Sequence, residues 1–428
     1  MKKIFSLLLI ATIVSTSAFS DDLDNLFNDT DIIEDESSLF MDDDLFSDDS
    51  LFGNDDLFES ENSTSSSKLI LSDDLLSEEV SISGSYSFNF TTGLKYDFDD
   101  SSSLDYYSLS DISTELILSA RPTTDTRFYT KATIAYPFFN TKDDDSTYVD
   151  EEYNFFSIDE LFYDFLLDDS YFVRVGKQTL NMGVGYFYSP ANLLNISTID
   201  PLNADDEQEG PLAIKVNKPI GNDNLYGYLT FPNTEDYDPS EIGLAARIEK
   251  VINNGEYTLS GYYNYDQSNN PTKLAFTSST SLLTDIDVFT EVVESYDGSE
   301  FNFEGTVGIQ VLKEISELVD TSVTFLAQYY YNQNGSSNSI TINNFSVPYD
   351  TTHQLAGLLS ISLPNDLSFS LLSVNNLSQS SSINSANFSY SMNDDISITL
   401  GSYYYYGIDY IQYDIQPYIS FTIGEGDF

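Results

Sequence analysis

The stretch VSISGSYSFNFTTGLKY, residues 80–96, alternates without a break. Val80, Ile82, Gly84, Tyr86, Phe88, Phe90, Thr92, Leu94 and Tyr96 fall on one face. Ser81, Ser83, Ser85, Ser87, Asn89, Thr91, Gly93 and Lys95 fall on the other. A period of two is the repeat of a β-strand, whose successive side chains point to opposite faces. Strands in soluble domains are usually about 5–6 residues long, and this alternation far exceeds that. A long strand with one apolar and one polar face suits a wall that meets lipid outside and water inside. Beyond the first twenty residues no segment holds the ~18 consecutive apolar residues of a spanning helix. Membrane passage therefore requires a closed barrel, because only helices and closed barrels satisfy every backbone group in lipid.

Less regular alternation continues along the chain. Further strands are expected near 110–121, 125–138, 154–167, 171–180, 210–219, 224–232, 241–252, 255–266 and 272–279. Others are expected near 284–295, 301–313, 319–332, 352–363, 366–376, 384–392, 396–406 and 411–423. With the first they make eighteen, and sixteen is the alternative; TKLAFTSS at 272–279 is the weakest of them. Connection lengths support the larger count. Short turns such as RPTTD, PIGND, NNGE and NDD alternate with long polar stretches at 97–109, 140–153, 181–209, 233–240, 333–351 and 377–383. Barrels of the outer membrane place short turns on the periplasmic side and long loops outside. The predicted fold is an all-β, transmembrane antiparallel barrel over residues 80–428. A soluble sandwich also alternates, but the long first strand, the loop rhythm and the tyrosine content argue for the barrel.

The N-terminus has another character. Lys2 and Lys3, an apolar run from Ile4 to Val14, and Ala18-Phe19-Ser20 form the pattern of a secretory signal peptide over residues 1–20. Residues 21–79 hold 21 Asp or Glu against one base, Lys68. Charge repulsion at that density opposes compaction, so the segment is expected to be a disordered periplasmic tail. Its Leu-Phe pairs, at 26–27, 39–40, 45–46, 51–52 and 57–58, are too sparse to form a core. They suit weak multivalent docking to a periplasmic partner; entry into the lumen and simple solubilisation are the other uses. A net charge of −54 argues against nucleic acid, whose phosphates call for Lys and Arg. With no cysteine, disulfides contribute nothing.

The segment RVGKQTLNMGVGYFYSPANLLN, Arg174 to Asn195, resembles porin-like outer-membrane barrels. In that family a strand ending in Gly-Arg/Lys-Gln precedes a glycine-rich loop, an aromatic pair, Pro and Leu-Leu-Asn. Here Gly176, Lys177, Gln178, Gly183, Gly185, Phe187, Pro190 and Asn195 stand in those places, with Met182 where the family often has Trp. The resemblance implies a channel-forming barrel bordered by outer-membrane lipid, and a homo-oligomer. The terminal Phe428 is similar to the last residue of barrels delivered to the outer-membrane assembly machinery. In this chain Gly424 to Asp427 interrupt the alternation of Ile419, Phe421 and Ile423 before it. The residues themselves say that Val173 and Val175 share a lipid face, and that Arg174, Gly176 and Gln178 face inward. Gly183 and Gly185 are expected to adopt backbone conformations open only to glycine, and Pro190 to end ladder pairing. The loop that follows either folds inward to narrow a pore or caps the rim.

Thirteen Lys and Arg lie in the barrel region, eleven of them before residue 251. Alternation turns Lys95, Arg127, Lys131, Arg174, Lys215 and Arg247 inward, together with Glu115. The later half carries Asp287, Glu291 and Glu304 on strands. These eleven side chains, counting Gln178, are the candidate pore lining. A basic wall facing an acidic one would set a transverse field across the lumen; plain solvation of a watery interior is the simpler account. The acidic stretches 142–152 and 205–209 lack the ligand spacing of an EF-hand and read as solvated loops. A single histidine, His353, and no G-x-S-x-G leave little support for an enzyme, a metal site or a cofactor. The expected function is passive diffusion of ions and small polar solutes. The alternative is a barrel that anchors a surface binding or adhesion function.

Overall fold

A computed structural model describes residues 79–427 apart from 99–103, 124, 141–154, 169, 198, 200, 202–207, 233–240, 266–269, 317–320, 343–344, 394–395 and 408–413. The expected signal peptide, the acidic segment before residue 79, the loop 142–152 and Phe428 lie outside the described residues. The strands are β1 (Glu79–Tyr96), β2 (Leu104–Thr123), β3 (Thr126–Asn140), β4 (Phe156–Leu167), β5 (Tyr171–Lys177) and β6 (Leu212–Ile220). They continue as β7 (Asp223–Phe231), β8 (Gly243–Ile252), β9 (Gly255–Asn264), β10 (Thr272–Leu283), β11 (Ile286–Tyr296) and β12 (Phe301–Ser316). The last six are β13 (Thr321–Ile342), β14 (Phe345–Leu363), β15 (Leu367–Asn376), β16 (Ser381–Asn393), β17 (Ile396–Tyr406) and β18 (Ile415–Asp427). Each pairs antiparallel with its neighbours in sequence, and β1 pairs with both β2 and β18, so the 18-stranded sheet closes on itself. Closure removes the free sheet edges that lipid could not satisfy.

The alternation decides which side each residue takes. One face of the wall exposes Leu116, Ile134, Leu244, Leu259, Val307 and Leu400, with no water-seeking group among them. The other carries Thr258, Glu291, Thr306, Gln328 and Gln354, all buried inside the barrel. The outward face also grades along the strands. Tyr106, Tyr136, Phe138, Tyr263, Phe301 and Tyr406 crowd the long-loop end, whereas Leu167, Ile220, Ile252, Leu283, Ile315 and Leu363 mark the short-turn end. The aromatic girdle thus gathers on the loop side, where amphipathic rings suit the lipid–water boundary. At the short turns Asp168, Gly221, Asn253, Asn365 and Asp366 have positive φ, the left-handed backbone that tight hairpins require.

Besides shifted strand starts, with β2 beginning at Leu104 inside the expected loop 97–109 and β16 at Ser381 inside 377–383, two segments differ more from the sequence expectation. The polar stretch 333–351, expected as a loop, prolongs β13 and β14, with Ser336 to Ile342 paired against Phe345 to Thr351. The Ser- and Asn-rich start of that stretch conceals the strand, although Ile340 and Ile342 alternate with Ser339 and Thr341, and Phe345 and Val347 flank Ser346. At the other end β18 runs on to Asp427 through a bulge: Phe88 opposes Ile423, but Tyr86 opposes Gly426. One extra residue enters there, at Gly424 with φ 79°, beneath the Tyr86 ring. The broken alternation in the sequence is that change of phase.

Candidate functional site: the inward loop and the wall it leaves open

Between β5 and β6 the chain enters the barrel. Leu180, Met182, Ala191, Leu193 and Leu194 pack on Ala213 of β6, Tyr226 and Tyr228 of β7, Ala275 of β10 and Val293 of β11. Farther on, Phe187 and Tyr188 join one buried cluster with Leu326 and Tyr330 of β13, Ala356 of β14, Val374 of β15, Ile383 of β16 and Tyr405 of β17. Tyr188 stacks on Tyr330 with ring centroids 5.1 Å apart. The loop therefore lines the inner wall from β6 to β17, settling the choice left open by its length: it folds inward. Met182, in the place of the family's frequent Trp, is 1% exposed within this packing.

A loop inside a barrel must pair its backbone groups without water. Asn192 Oδ1 accepts from the N–H groups of Met182 (2.8 Å) and Gly183 (2.7 Å), and Asn195 Oδ1 from Leu180 (2.8 Å). Both amides also donate to Gln208 Oε1. From the wall, Glu291 accepts from the N–H groups of Val184, Gly185 and Ala191 and from Ser189 Oγ. Gln328 Oε1 accepts from Tyr186 (3.1 Å) and Phe187 (2.8 Å), while its Nε2 donates to the Tyr188 carbonyl. Gly183 and Gly185 do not have positive φ. Their requirement is space: a Cβ would lie 1.8 Å from Ser189 Oγ at position 183 and 2.0 Å from the Tyr188 carbonyl oxygen at position 185. Gly176 does need glycine's backbone, with φ 144° against Leu161 and Phe162.

Pro190 sits in a turn closed by the Asn192 N–H on the Ser189 carbonyl, 3.1 Å. Lys177 donates to the Ile158 carbonyl and to Glu209, tying β5 to β4 and to the returning end of the loop. Gln178 and Glu291, expected to line a pore, are fully buried: Gln178 donates to the Gly176 and Ala213 carbonyls where β5 meets β6, and Glu291 holds the loop. Alternation gives the side of the wall but not what covers it. Glu304 accepts from Tyr330 Oη (2.9 Å) and is likewise tied to the loop's landing site. Asp287 lies on the inner face beside Gln310 of β12 and Ser281 of β10. Val173 shares the outward face with Val175 but is 7% exposed, covered by its neighbours.

The inward cations do not form a bare basic wall. Arg174 forks onto Asp164 (Nε to Oδ1 2.8 Å, Nη2 to Oδ2 3.3 Å) and lies 3.8 Å from the Phe162 ring centroid. Lys131 pairs with Glu115 at 2.9 Å; Arg247 pairs with Glu249 at 2.9 Å and Glu256 at 3.2 Å. Lys95 and Lys215 lie over the rings of Tyr107 and Tyr226. Arg127 donates to Ser119 Oγ (3.0 Å) and covers Tyr129, remaining half-buried. The expected transverse field is thus broken up within the basic half itself, because inward residues on adjacent strands sit close enough to pair. Sequence reasoning passed over Asp164 and Gln328. Both fall at inward parity, the first beside inward Phe162 and the second between Leu326 and Tyr330, so apolar neighbours concealed them.

Opposite the loop, Asn89 of β1, Asp111, Ser113 and Glu115 of β2, and Arg127 and Thr133 of β3 stay partly exposed on the inner face, as do Ser420 and Thr422 of β18. At the level of the loop, the inward residues of β9 to β16 are buried, among them Ser260, Ala275, Val293, Leu326, Ala356 and Ile383. The open side of the barrel is the wall from β18 through β3.

Fold and loop together define a class of architecture: an eighteen-stranded closed antiparallel barrel with a long loop folded into its lumen. Solved structures of that architecture are similar to it. A BenF-like porin from Pseudomonas fluorescens aligns at TM-score 0.51 and 11% identity, covering 81% of this chain and 98% of that one. OccK2 (OpdF) from Pseudomonas aeruginosa, in complex with glucuronate, aligns at TM-score 0.50 and 10% identity, covering 81% and 98%. OccK1 (OpdK) from the same organism aligns at TM-score 0.50 and 8% identity, covering 82% and 99%. No family model matches the chain, and no curated protein matches it significantly in sequence.

Proposed function

We propose that this barrel is an outer-membrane channel for passive diffusion of ions and small polar solutes, which pass between the inward loop and the wall from β18 through β3. The carrying observation is the asymmetry of burial: the loop fills one side, while polar and charged side chains stay exposed on the other. A barrel of this strand number leaves an aqueous interior unless something fills it. The likeness to porin structures supports the same reading. Of the expected lining, this route keeps Arg127, Lys131 and Glu115 beside the path. It assigns Arg174 and Arg247 to buried ion pairs in the wall. The acidic segment 21–79 and Phe428 retain the roles the sequence suggests, a periplasmic tail and an assembly signal.

Purified protein in planar bilayers tests this directly. Discrete, ohmic unitary currents are expected, and Arg127→Gln shifts the reversal potential in a salt gradient toward cation preference. Arg247→Gln, on the loop-covered side, leaves it in place. Absence of unitary current from folded protein refutes the channel, and equal shifts from both substitutions refute the route.

A further inference from the structure

The loop presents four donors to one point. The N–H groups of Val184, Gly185 and Ala191 and the Ser189 hydroxyl converge on the Glu291 carboxylate, which is 0% exposed. Gly185 and Ser189 lie 2.6 and 2.9 Å from Oε1, and Ala191 lies 2.8 Å from Oε2. Backbone N–H groups gathered in this way form a concave anion receptor. Its shape depends on both glycines, since a Cβ at position 183 would stand 2.6 Å from Oε1 itself and one at position 185 would stand 2.0 Å from the Tyr188 carbonyl oxygen. Glu291 belongs to β11, between Thr277 of β10 and Thr306 of β12, so the anion is delivered by the rigid wall.

We propose that the loop segment 184–191 is a carboxylate receptor, and that Glu291, as its tethered ligand, is the positioning residue that fixes the loop and hence the bore of the channel. The role in setting the bore rests on the channel reading above; the receptor does not. Without a carboxylate the four donors point into a dry interior and lose their partner together, which favours opening of the loop. Glu291→Ala keeps the Cβ and vacates the space of one methylene and the carboxylate. A small carboxylate from solution then has a site of the right charge and size.

The full-length protein tests this with formate as the probe. Heat-modifiable migration first selects folded barrels. In folded Glu291→Ala, chymotrypsin is expected to cut at Tyr186, Phe187 or Tyr188 on the order of tenfold faster than in the parent, the scale of one lost charge-assisted hydrogen bond. Formate, but not chloride at equal ionic strength, returns cleavage to the parental rate. In bilayers the same variant gives a larger, noisier unitary current that formate quiets. Glu291→Gln, with one acceptor oxygen kept and an amide N–H₂ set against the donors, falls between the two. Equal cleavage of parent and variant overturns the proposal, as does faster cleavage that formate leaves unchanged. If the alanine variant does not fold, parental cleavage and current in Glu291→Gln overturn it equally. If the parent carries no current, the channel reading fails while cleavage still decides the receptor.

Discussion

Breaking the Arg174–Asp164 pair should cost far more than removing both members. The two side chains retain 8% and 2% of their exposure, and the guanidinium also lies flat on Phe162. Arg174→Ala leaves a carboxylate in the wall with neither its fork of hydrogen bonds nor water. Removing one partner of such a buried pair costs about 3–5 kcal/mol, and the lost cation–π contact adds ~0.5–2 kcal/mol. Asp164→Ala leaves the guanidinium stranded on the ring and should cost about 3 kcal/mol or more. In the double variant no charge remains to be desolvated, so a coupling near the top of the ~0.5–3 kcal/mol range is expected. The same cycle on Lys131 and Glu115, where the side chains keep 11% and 29% exposure, should give about 1 kcal/mol or less. Urea unfolding from lipid vesicles measures both cycles, followed by tyrosine fluorescence because the chain has 32 Tyr and no Trp. Additive losses at Arg174 and Asp164, or single losses below about 1 kcal/mol, would show that water reaches the pair and that the wall there is not buried.

Two further substitutions probe the faces of the barrel. Leu259, 50% exposed on the outside of β9 and paired with Ile248 and Phe276, should tolerate Arg only at about 2–4 kcal/mol if it lies near the membrane midplane; a urea midpoint equal to that of the parent contradicts the lipid-facing assignment. Tyr418 lies across Gly401, where a Cβ would stand 2.3 Å from its ring, and donates to Asn387 Oδ1 at 2.7 Å. Gly401→Val should therefore push that ring off the open wall into the path and lower the unitary conductance, with Tyr418→Ala restoring it in the double variant. Unchanged current in the valine variant rejects the placement of the path.

What could be read from the sequence follows from what alternation encodes. In β1 the lipid face carries Val80, Ile82, Tyr86, Phe88, Phe90, Leu94 and Tyr96 against Ser, Asn, Thr, Gly and Lys on the other, so both its course and its sides are legible. The weak stretch at 272–279 proves to be the core of β10, because hairpin rhythm constrained it where composition did not. In the prolongation of β13 and β14 the Gly-, Ser- and Asn-rich run from Asn334 to Ser339 carries the composition of a loop and conceals the alternation of Ile340, Ile342, Phe345 and Val347 beyond it. The motif from Gly176 to Asn195 marks a long glycine-containing loop but leaves open whether it folds inward or caps the rim.

The deeper limit concerns the inner face. In a water-filled barrel every polar residue of inward parity has the same meaning, namely solvation. Once a loop enters, that equivalence is lost. Glu291 and Glu115 carry the same chemistry at the same parity, yet one is sealed beneath loop N–H groups and the other stays at the open wall. The difference is set by where the loop's apolar residues find a surface. Ala213, Ala275, Val293, Leu326, Ala356, Val374 and Ile383 are apolar at inward positions on β6, β10, β11 and β13 to β16, which a purely aqueous lumen would not favour. Inward apolar residues recurring on consecutive strands are therefore the sequence signature of the loop's bed. β1, whose inward positions from Ser81 to Lys95 hold none, belongs to the side left to solutes.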